Sequence, residues 1–334
     1  MSTSKLAVAG YSHKNAGEGV REALARLKPL EILGKLGPEC VVLSTCNRFE
    51  IVVAGDPKPA VELLERAAGA APRVVEGAKA VEHLFEVAAG LDSMIVGETE
   101  ILGQVKAAYE LALGAGTTGK NLNVLFQRAL YVGKKVRSET GIAVGQTSVA
   151  SVAVQLAGSI FGDLEGREAL VLGAGAMAEV TAKHLIGRKV SRLCIANRTF
   201  ERAAALAARF DAGAIPWKDF PEELVRADIV IASTGSSEPV VTRGMVSAAM
   251  SKRSGRPLFL IDIAMPRDVE ESVHALEGVY LYRLEHLEAL AAENLRGRVA
   301  QVERARELVR DRALQFSNWM ASVAAGREIS MRHA

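Results

Sequence analysis

The chain has 334 residues, longer than one ordinary core supports, and its length predicts two or three domains. With 49% apolar and 24% charged residues it reads as globular, and a net charge of +2 leaves any affinity for nucleic acid to local patches. Cys40, Cys46 and Cys194 are too scattered for a disulfide framework and form no metal-ligand pattern with the histidines, which fits a reducing compartment. No leader peptide is evident, and no apolar run reaches the roughly 18 residues of a membrane span. The expectation is a cytoplasmic protein with no metal and no membrane partner.

Leu6 to Ala9 predicts a first strand, followed by the polar loop Tyr11 to Asn15. One helix is predicted over about 19–36, with Val20, Leu24, Leu27 and Leu30 or Ile32 inward. Two short apolar strands, 41–44 and 51–53, flank a polar run holding Thr45, Cys46, Asn47 and Arg48. A thiol at the end of a buried strand is aimed by rigid backbone, and a cation such as Arg48 favours the nucleophilic thiolate. Cys46 is thus a candidate for covalent catalysis on an acyl group. A small buried cysteine is the plainer alternative. A helix near 58–70 completes a small α+β domain.

From about residue 77 the pattern is wholly helical. Ala80 to Ala88 is amphipathic and stops near Gly90; the dense polar–apolar stretch Gly90 to Glu100 leads into a helix of about 98–114. Gln104 lies beside Ile101 on its inward side, where a polar group needs a partner from the protein or a ligand. Between Leu111 and Ser138 there are five basic residues and no acidic one. A helix of about 121–139 turns Leu122, Leu125, Phe126, Ala129, Gly133 and Val136 inward and Arg128, Tyr131, Lys134 and Lys135 outward. That outer face either meets a phosphate backbone or is simply a solvated charged face. A connecting helix is expected over 143–162.

A new module follows. The apolar strand Glu168 to Leu172 runs into Gly173, Ala174, Gly175, Ala176, Met177 and Ala178, then a helix through Leu185. This arrangement brings backbone amides and a helix N-terminus to a pyrophosphate. The next strand, Arg192 to Ala196, ends in Asn197, Arg198 and Thr199. A free ribose 2′-OH favours an acid at that strand end; Asn197 carries no repelling charge, and Arg198 and Thr199 can hold a 2′-phosphate, so NADPH is expected. Strands 227–232 and 258–262 extend a doubly wound parallel sheet, with Thr234 in a loop at the cofactor edge. From Leu284 one long helix is predicted, with Leu295, Val299, Val302, Arg306, Val309, Ala313, Phe316, Met320 and Val323 in heptads against a helix of this chain or a second copy.

The segment Ser44 to Glu50, the stretch Gly90 to Lys106, and the Gly173 loop with Asn197–Arg198–Thr199 closely resemble the glutamyl-tRNA reductase family. Gly10 to Lys14 and Asp262 to Asp268 resemble it too, so the likeness runs from about residue 5 to 320. The resemblance implies NADPH-dependent reduction of glutamyl-tRNA(Glu) to glutamate-1-semialdehyde, the first step of the five-carbon route to tetrapyrroles. It makes Cys46 the nucleophile that carries a thioester and His83 a residue important for activity. Thr45, Asn47, Arg48, Ser93, Glu98, Thr99, Glu100 and Gln104 correspond to substrate positions, and Gly173 to Ala178 to the cofactor loop. Arg48 offers a bidentate clasp for the glutamyl carboxylate, and His83 a proton for the leaving oxygen.

Two features depart from the family: Glu100 replaces a usual Gln, and only the start of a helical dimerisation domain is present. The expected layout is α/β multidomain: an α+β catalytic domain at 1–142, a Rossmann-type NADP-binding domain at 143–283, and a long C-terminal helix at 284–334. Expected partners are glutamyl-tRNA(Glu), an aminomutase receiving the product, and a second copy through the C-terminal helix. The rival readings are a shikimate-type dehydrogenase, which leaves Cys46 without a task, and a non-catalytic binder of tRNA or a pathway partner.

Overall fold

The computed structural model describes residues 6–36, 39–45, 47–143, 148–295 and 299–325. Contacts divide the chain into two compact units, Met1–Thr147 with Asn294–Ala334, and Ser148–Glu293. Cys46 lies outside the described residues.

The first unit is a four-stranded antiparallel sheet covered by helices. Its strands are β1 (Leu6–Ser12), β2 (Cys40–Ser44), β3 (Arg48–Ala54) and β4 (Arg73–Glu76), in the order β2-β3-β1-β4. Register pairs Gly10 with Glu50 and Ser12 with Arg48. Only glycine fits at position 10, because a Cβ there would lie 2.4 Å from the Phe49 carbonyl oxygen. The helices are α1 (Glu18–Ala25), α2 (Pro29–Leu36), α3 (Lys58–Ala68), α4 (Ala78–Ala89), α5 (Glu100–Gly114) and α6 (Lys120–Thr140).

The single helix expected over 19–36 is two helices, α1 and α2. Pro29 is the reason: it has no N–H for the preceding turn and its ring clashes with the carbonyl four residues back. Edge strand β4 escaped the sequence reading because only two of its four residues, Val74 and Val75, are apolar and the strand is mostly exposed.

The second unit begins with α7 (Val149–Phe161), capped by reciprocal Ser148 and Ser151 bonds. Then come β5 (Glu168–Leu172), α8 (Ala176–Gly187), β6 (Arg192–Asn197), α9 (Phe200–Arg209), β7 (Gly213–Pro216) and α10 (Phe220–Glu223). β8 (Ile229–Ala232), α11 (Arg243–Met250), β9 (Leu258–Asp262), β10 (Val279–Arg283) and α12 (Leu284–Leu295) complete the sequence order. The six strands are parallel in the order β10-β9-β8-β5-β6-β7, the doubly wound arrangement whose switch point falls between β5 and β8. Cys194 is buried within β6.

The C-terminal helix α13 (Val299–Ala324) packs on α4 and α6 of its own chain. Its buried residues are Val302, Ala305, Val309, Ala313, Phe316 and Met320. Ala305, not Arg306, takes the inward position, because these residues follow the 3.6-residue period of a single helix rather than a strict heptad. Arg306 points outward to Glu303 at 2.8 Å. Of the two partners expected for this face, a helix of this chain or a second copy, the chain's own α4 and α6 occupy it. Among the described residues, no helix is long and apolar enough to cross a membrane.

Candidate active site

The turn from β2 to β3 is organised by Thr45. Its hydroxyl accepts the backbone N–H groups of Asn47 and Arg48, both at 3.2 Å, and its own N–H donates to the Arg48 carbonyl at 2.9 Å. The Asn47 carbonyl accepts the His13 N–H at 2.9 Å, tying the turn to the end of β1. Asn47 is buried, and its side-chain oxygen has no hydrogen-bond partner among the described residues.

Arg48 and Glu50 alternate by two along β3 and so share one face of the sheet. There they meet His83 from α4 and Asp92 from the loop after it. Arg48 is only 2% exposed. Its Nη1 donates to Glu50 Oε1 at 3.2 Å and to Asp92 Oδ2 at 3.0 Å, and its Nη2 donates to the Asp92 carbonyl. His83 Nε2 lies 2.9 Å from Glu50 Oε1, and Lys14 pairs with Asp92. Both terminal nitrogens of Arg48 are thus engaged within the protein, where the side chain bridges two carboxylates.

The electrostatics follow. Burial, the largest single influence, would lift the Glu50 and Asp92 carboxyls, but Arg48 together with His83 at Glu50, and with Lys14 and His83 at Asp92, outweighs it and holds each at about 2. Burial opposes charging of His83, yet Glu50 overcomes it and raises the imidazole above its ordinary value. Nearby His13 goes the other way: burial and Arg48 push it down to about 4. The donor atoms of Glu50, His83 and Asp92 lie within 4.8 Å of one another. The guanidinium bonded to both carboxylates already supplies the positive charge that a metal would bring.

Ser93 and Glu98 are buried in the adjoining loop, Thr99 is exposed, and Glu100 and Gln104 are half-buried at the start of α5. Arg137 of α6 fixes that entry, donating to the Glu98 carbonyl at 2.8 Å and the Thr99 carbonyl at 2.9 Å. Burial, then the neighbouring Glu100, lifts the Glu98 carboxyl to about 7, against the pull of Ser93, Arg48 and Arg137. Burial likewise raises Glu100, opposed by helix amides and by Thr99, whose hydroxyl donates to it at 3.2 Å.

In the second unit, Gly173 ends β5 at φ +114, and a Cβ there would stand 2.7 Å from the Ser233 carbonyl. Its N–H donates to Ala196 at 2.8 Å, locking the first two strand ends together. Gly175 precedes α8 with extended backbone and no side-chain cap, and the space where its Cβ would point is open. The first amides of α8 are therefore free for an anion. Ala178 is fully buried, the close packing that the third glycine position serves.

Asn197, Arg198, Thr199 and Thr234 line a crevice of about 210 Å³ with Arg202, Trp217, Gly235 and Ser236. Thr234 is held by Asp268, which accepts its N–H at 2.6 Å and also its hydroxyl. Asp262 in turn accepts the N–H groups of Ala264 at 3.1 Å and of Asp268 and Val269 at 3.0 Å. These residues fit a nicotinamide dinucleotide, offering helix amides to its pyrophosphate and a crevice with two arginines beside the end of β6.

Sequence reading did not single out Glu50, Asp92, Lys14, Arg137, Arg202 or Asp268 as site residues. The +2 spacing of Arg48 and Glu50 on one strand was a usable signal for Glu50. Asp92, Lys14 and Arg137 are joined to the site only through tertiary structure.

The family model for the glutamyl-tRNA(Glu) reductase N-terminal domain matches residues 9–140, and that for shikimate/quinate 5-dehydrogenase matches residues 155–290. A glutamyl-tRNA reductase of Rubrobacter xylanophilus is 45% identical over 336 residues, 95% of this chain and 78% of that protein. One from Desulfovibrio desulfuricans is 41% identical over 94% of this chain and 77% of its own length. The solved glutamyl-tRNA reductase of Methanopyrus kandleri is 36% identical with a TM-score of 0.54, covering 96% of this chain and 81% of that one. With its two units matched in order and its relatives aligned along nearly its whole length, the chain belongs to the glutamyl-tRNA reductase family.

Proposed function

We propose that this chain reduces the glutamyl group of glutamyl-tRNA to glutamate-1-semialdehyde and releases the tRNA, by way of a thioester on Cys46. The observation that carries the reading is the Thr45–Arg48 turn, braced against the buried Arg48–Glu50–His83–Asp92 cluster. With His83 protonated, Arg48, Lys14 and His83 face two carboxylates, which leaves one positive charge to attract an anionic substrate group.

The Cys46 thiolate attacks the ester carbonyl carbon, the bond to the tRNA ribose oxygen breaks, and that oxygen takes a proton from His83. Glu50 keeps His83 charged for this step. Asn47 Oδ1, buried and without a partner among the described residues, is suited to accept from the α-ammonium group. Ser93, Glu98, Thr99, Glu100 and Gln104 complete the substrate side. The nicotinamide, when bound, supplies the hydride that takes the acyl carbon to the aldehyde level. The C–S bond then breaks and the thiolate returns.

Gly173 to Ala178 would hold the pyrophosphate. Asn197, Arg198, Thr199 and Arg202 would hold a 2′-phosphate, which supports NADPH over NADH. A thiolate nucleophile works best in a reducing compartment, in keeping with a cytoplasmic site. The aldehyde product is reactive, which favours direct passage to the aminomutase that consumes it. A homodimer formed through α13 would use a face other than the one packed on α4 and α6.

The test follows NADPH oxidation with glutamyl-tRNA. Turnover is expected to vanish on ribonuclease treatment and in Cys46→Ser, and to be much slower with NADH. Without NADPH, slow release of glutamate from the tRNA is expected as water takes the thioester. Undiminished turnover by Cys46→Ser would end this reading, and oxidation of shikimate in its place would favour the dehydrogenase alternative.

A further inference from the structure

Helix α6 carries five basic side chains and one acidic one, on a protein whose whole net charge is +2. Its buried stripe, from Leu122 to Val136, leaves Arg128, Tyr131, Lys134 and Lys135 on the outer side. Tyr131 is 48% exposed, so its ring is not there to fill a core. The Arg128 guanidinium sits 5.0 Å from that ring's centre and the Lys135 ammonium 6.0 Å.

These cations differ in how far the protein uses them. Arg137 is committed to the carbonyls of Glu98 and Thr99. Lys135 shares Glu139 at 3.3 Å, the acid of this helix. Lys134 is exposed, with no ion pair among the described residues. Arg128 is half-buried, and its Nε and Nη2, themselves covered, find no acceptor among the described residues. From α13, Arg312 bonds Gln315 at 2.9 Å, and its buried Nε has no acceptor among the described residues. Burial lowers the Arg128 pKa, Tyr131 opposes it, and Arg312 adds a smaller push downward.

We propose that the outer face of α6, with Arg312 beside it, holds the phosphate backbone of the tRNA substrate, and that an unpaired base stacks on Tyr131. Cations pair with phosphates, and an exposed ring between cations is the platform on which single-stranded bases stack. An acidic protein surface would use the lysines but gives no reason for the ring. The proposal rests on the glutamyl-tRNA reading.

The experiment measures binding of uncharged tRNA(Glu) to the full chain across a potassium chloride series, with turnover of glutamyl-tRNA in parallel. Lys134→Glu is expected to weaken binding about tenfold and to flatten the salt dependence by about one counterion. Tyr131→Ala is expected to weaken it about fivefold or more with the salt slope unchanged, and Tyr131→Phe to restore it, since a phenyl ring still stacks. Lys58→Glu, on exposed α3, serves as the neutral control. For the α6 variants the KM for glutamyl-tRNA should rise while that for NADPH stays put. If the wild-type protein binds and turns over glutamyl-tRNA and both α6 variants match it, the surface proposal is overturned and the reductase reading stands. If the wild-type protein neither binds tRNA nor turns over, both fall.

Discussion

Glu98 and Glu100 show how one residue sets the chemistry of the next. Glu98 is buried and its carboxyl sits at about 7, with Glu100 the second cause after burial. Where the family usually has Gln, this chain puts a second carboxylate on the N-terminal turn of α5. The helix amides tolerate it there, and its neighbour bears the consequence. Glu100→Gln is expected to return Glu98 toward the ordinary carboxylate range, read by carbon NMR of the labelled side chain. The stability consequence has a definite sign. Because the folded pKa is raised, Glu98 contributes stability that is fully present below its unfolded value near 4.5 and is lost as pH rises through about 7. Glu98→Gln mimics the protonated form, so it should be the more stable protein at pH 8, by up to about 3 kcal/mol, with the gap closing below pH 5. Urea melts at both pH values measure it.

Glu50 poses the opposite case. Its carboxyl is held at about 2, so the stability it contributes is present above its unfolded value and is lost as pH falls toward 2. Glu50→Gln leaves a buried guanidinium short of one counter-charge, a change that costs about 3–5 kcal/mol for a fully buried pair. It also removes the partner that raises His83. The His83 ring should then titrate lower by NMR, and the alkaline limb of activity should move to lower pH with it.

At the scale of elements, the loop after β8 is held from behind. Thr234 lines the cofactor crevice, but two bonds from it run to Asp268, which Asp262 anchors through its backbone N–H. Asp268→Ala should free the loop and raise the KM for NADPH about tenfold, an expectation from losing charge-assisted bonds, while the KM for glutamyl-tRNA is unmoved. Asp268→Asn keeps one acceptor and should fall between, as steady-state kinetics with each substrate varied would report.

The sequence made β5, Gly173 and the Asn197–Thr199 strand end legible because that motif is contiguous and each residue has a local backbone or charge requirement. Asp268 was quoted there only as part of a resemblance. Its task is set by pairing across β8 and β9, which no local period reveals. Arg48 was legible as a cation near position 46, but not as a buried one, since its two acids come from β3 and from a loop beyond α4. Short strands β7 and β10 were missed because few residues carry each pattern, and the break before α2 was missed although Pro29 marks it.

For the molecule as a whole, the chain returns to its first unit at the end. The buried stripe of α13 lies on α4 and α6, and Phe316 meets Phe85 edge-on with ring centres 5.8 Å apart. The first unit's core is thus closed by Val302 to Met320, far along the chain from its last strand, which ends at Glu76, whereas the second unit buries a separate core around β5, β6, β8 and β9. Phe316→Ala opens a cavity in a fully buried position and should cost about 3–5 kcal/mol, all of it in the first unit. Followed by hydrogen exchange, protection should fall in α4, α6 and β1 while the amides of β5 and β8 keep theirs. NADPH binding, judged by the protection it adds around Gly173, should survive the substitution. Equal loss of protection in both units would mean that α13 supports the whole chain rather than the unit that it covers.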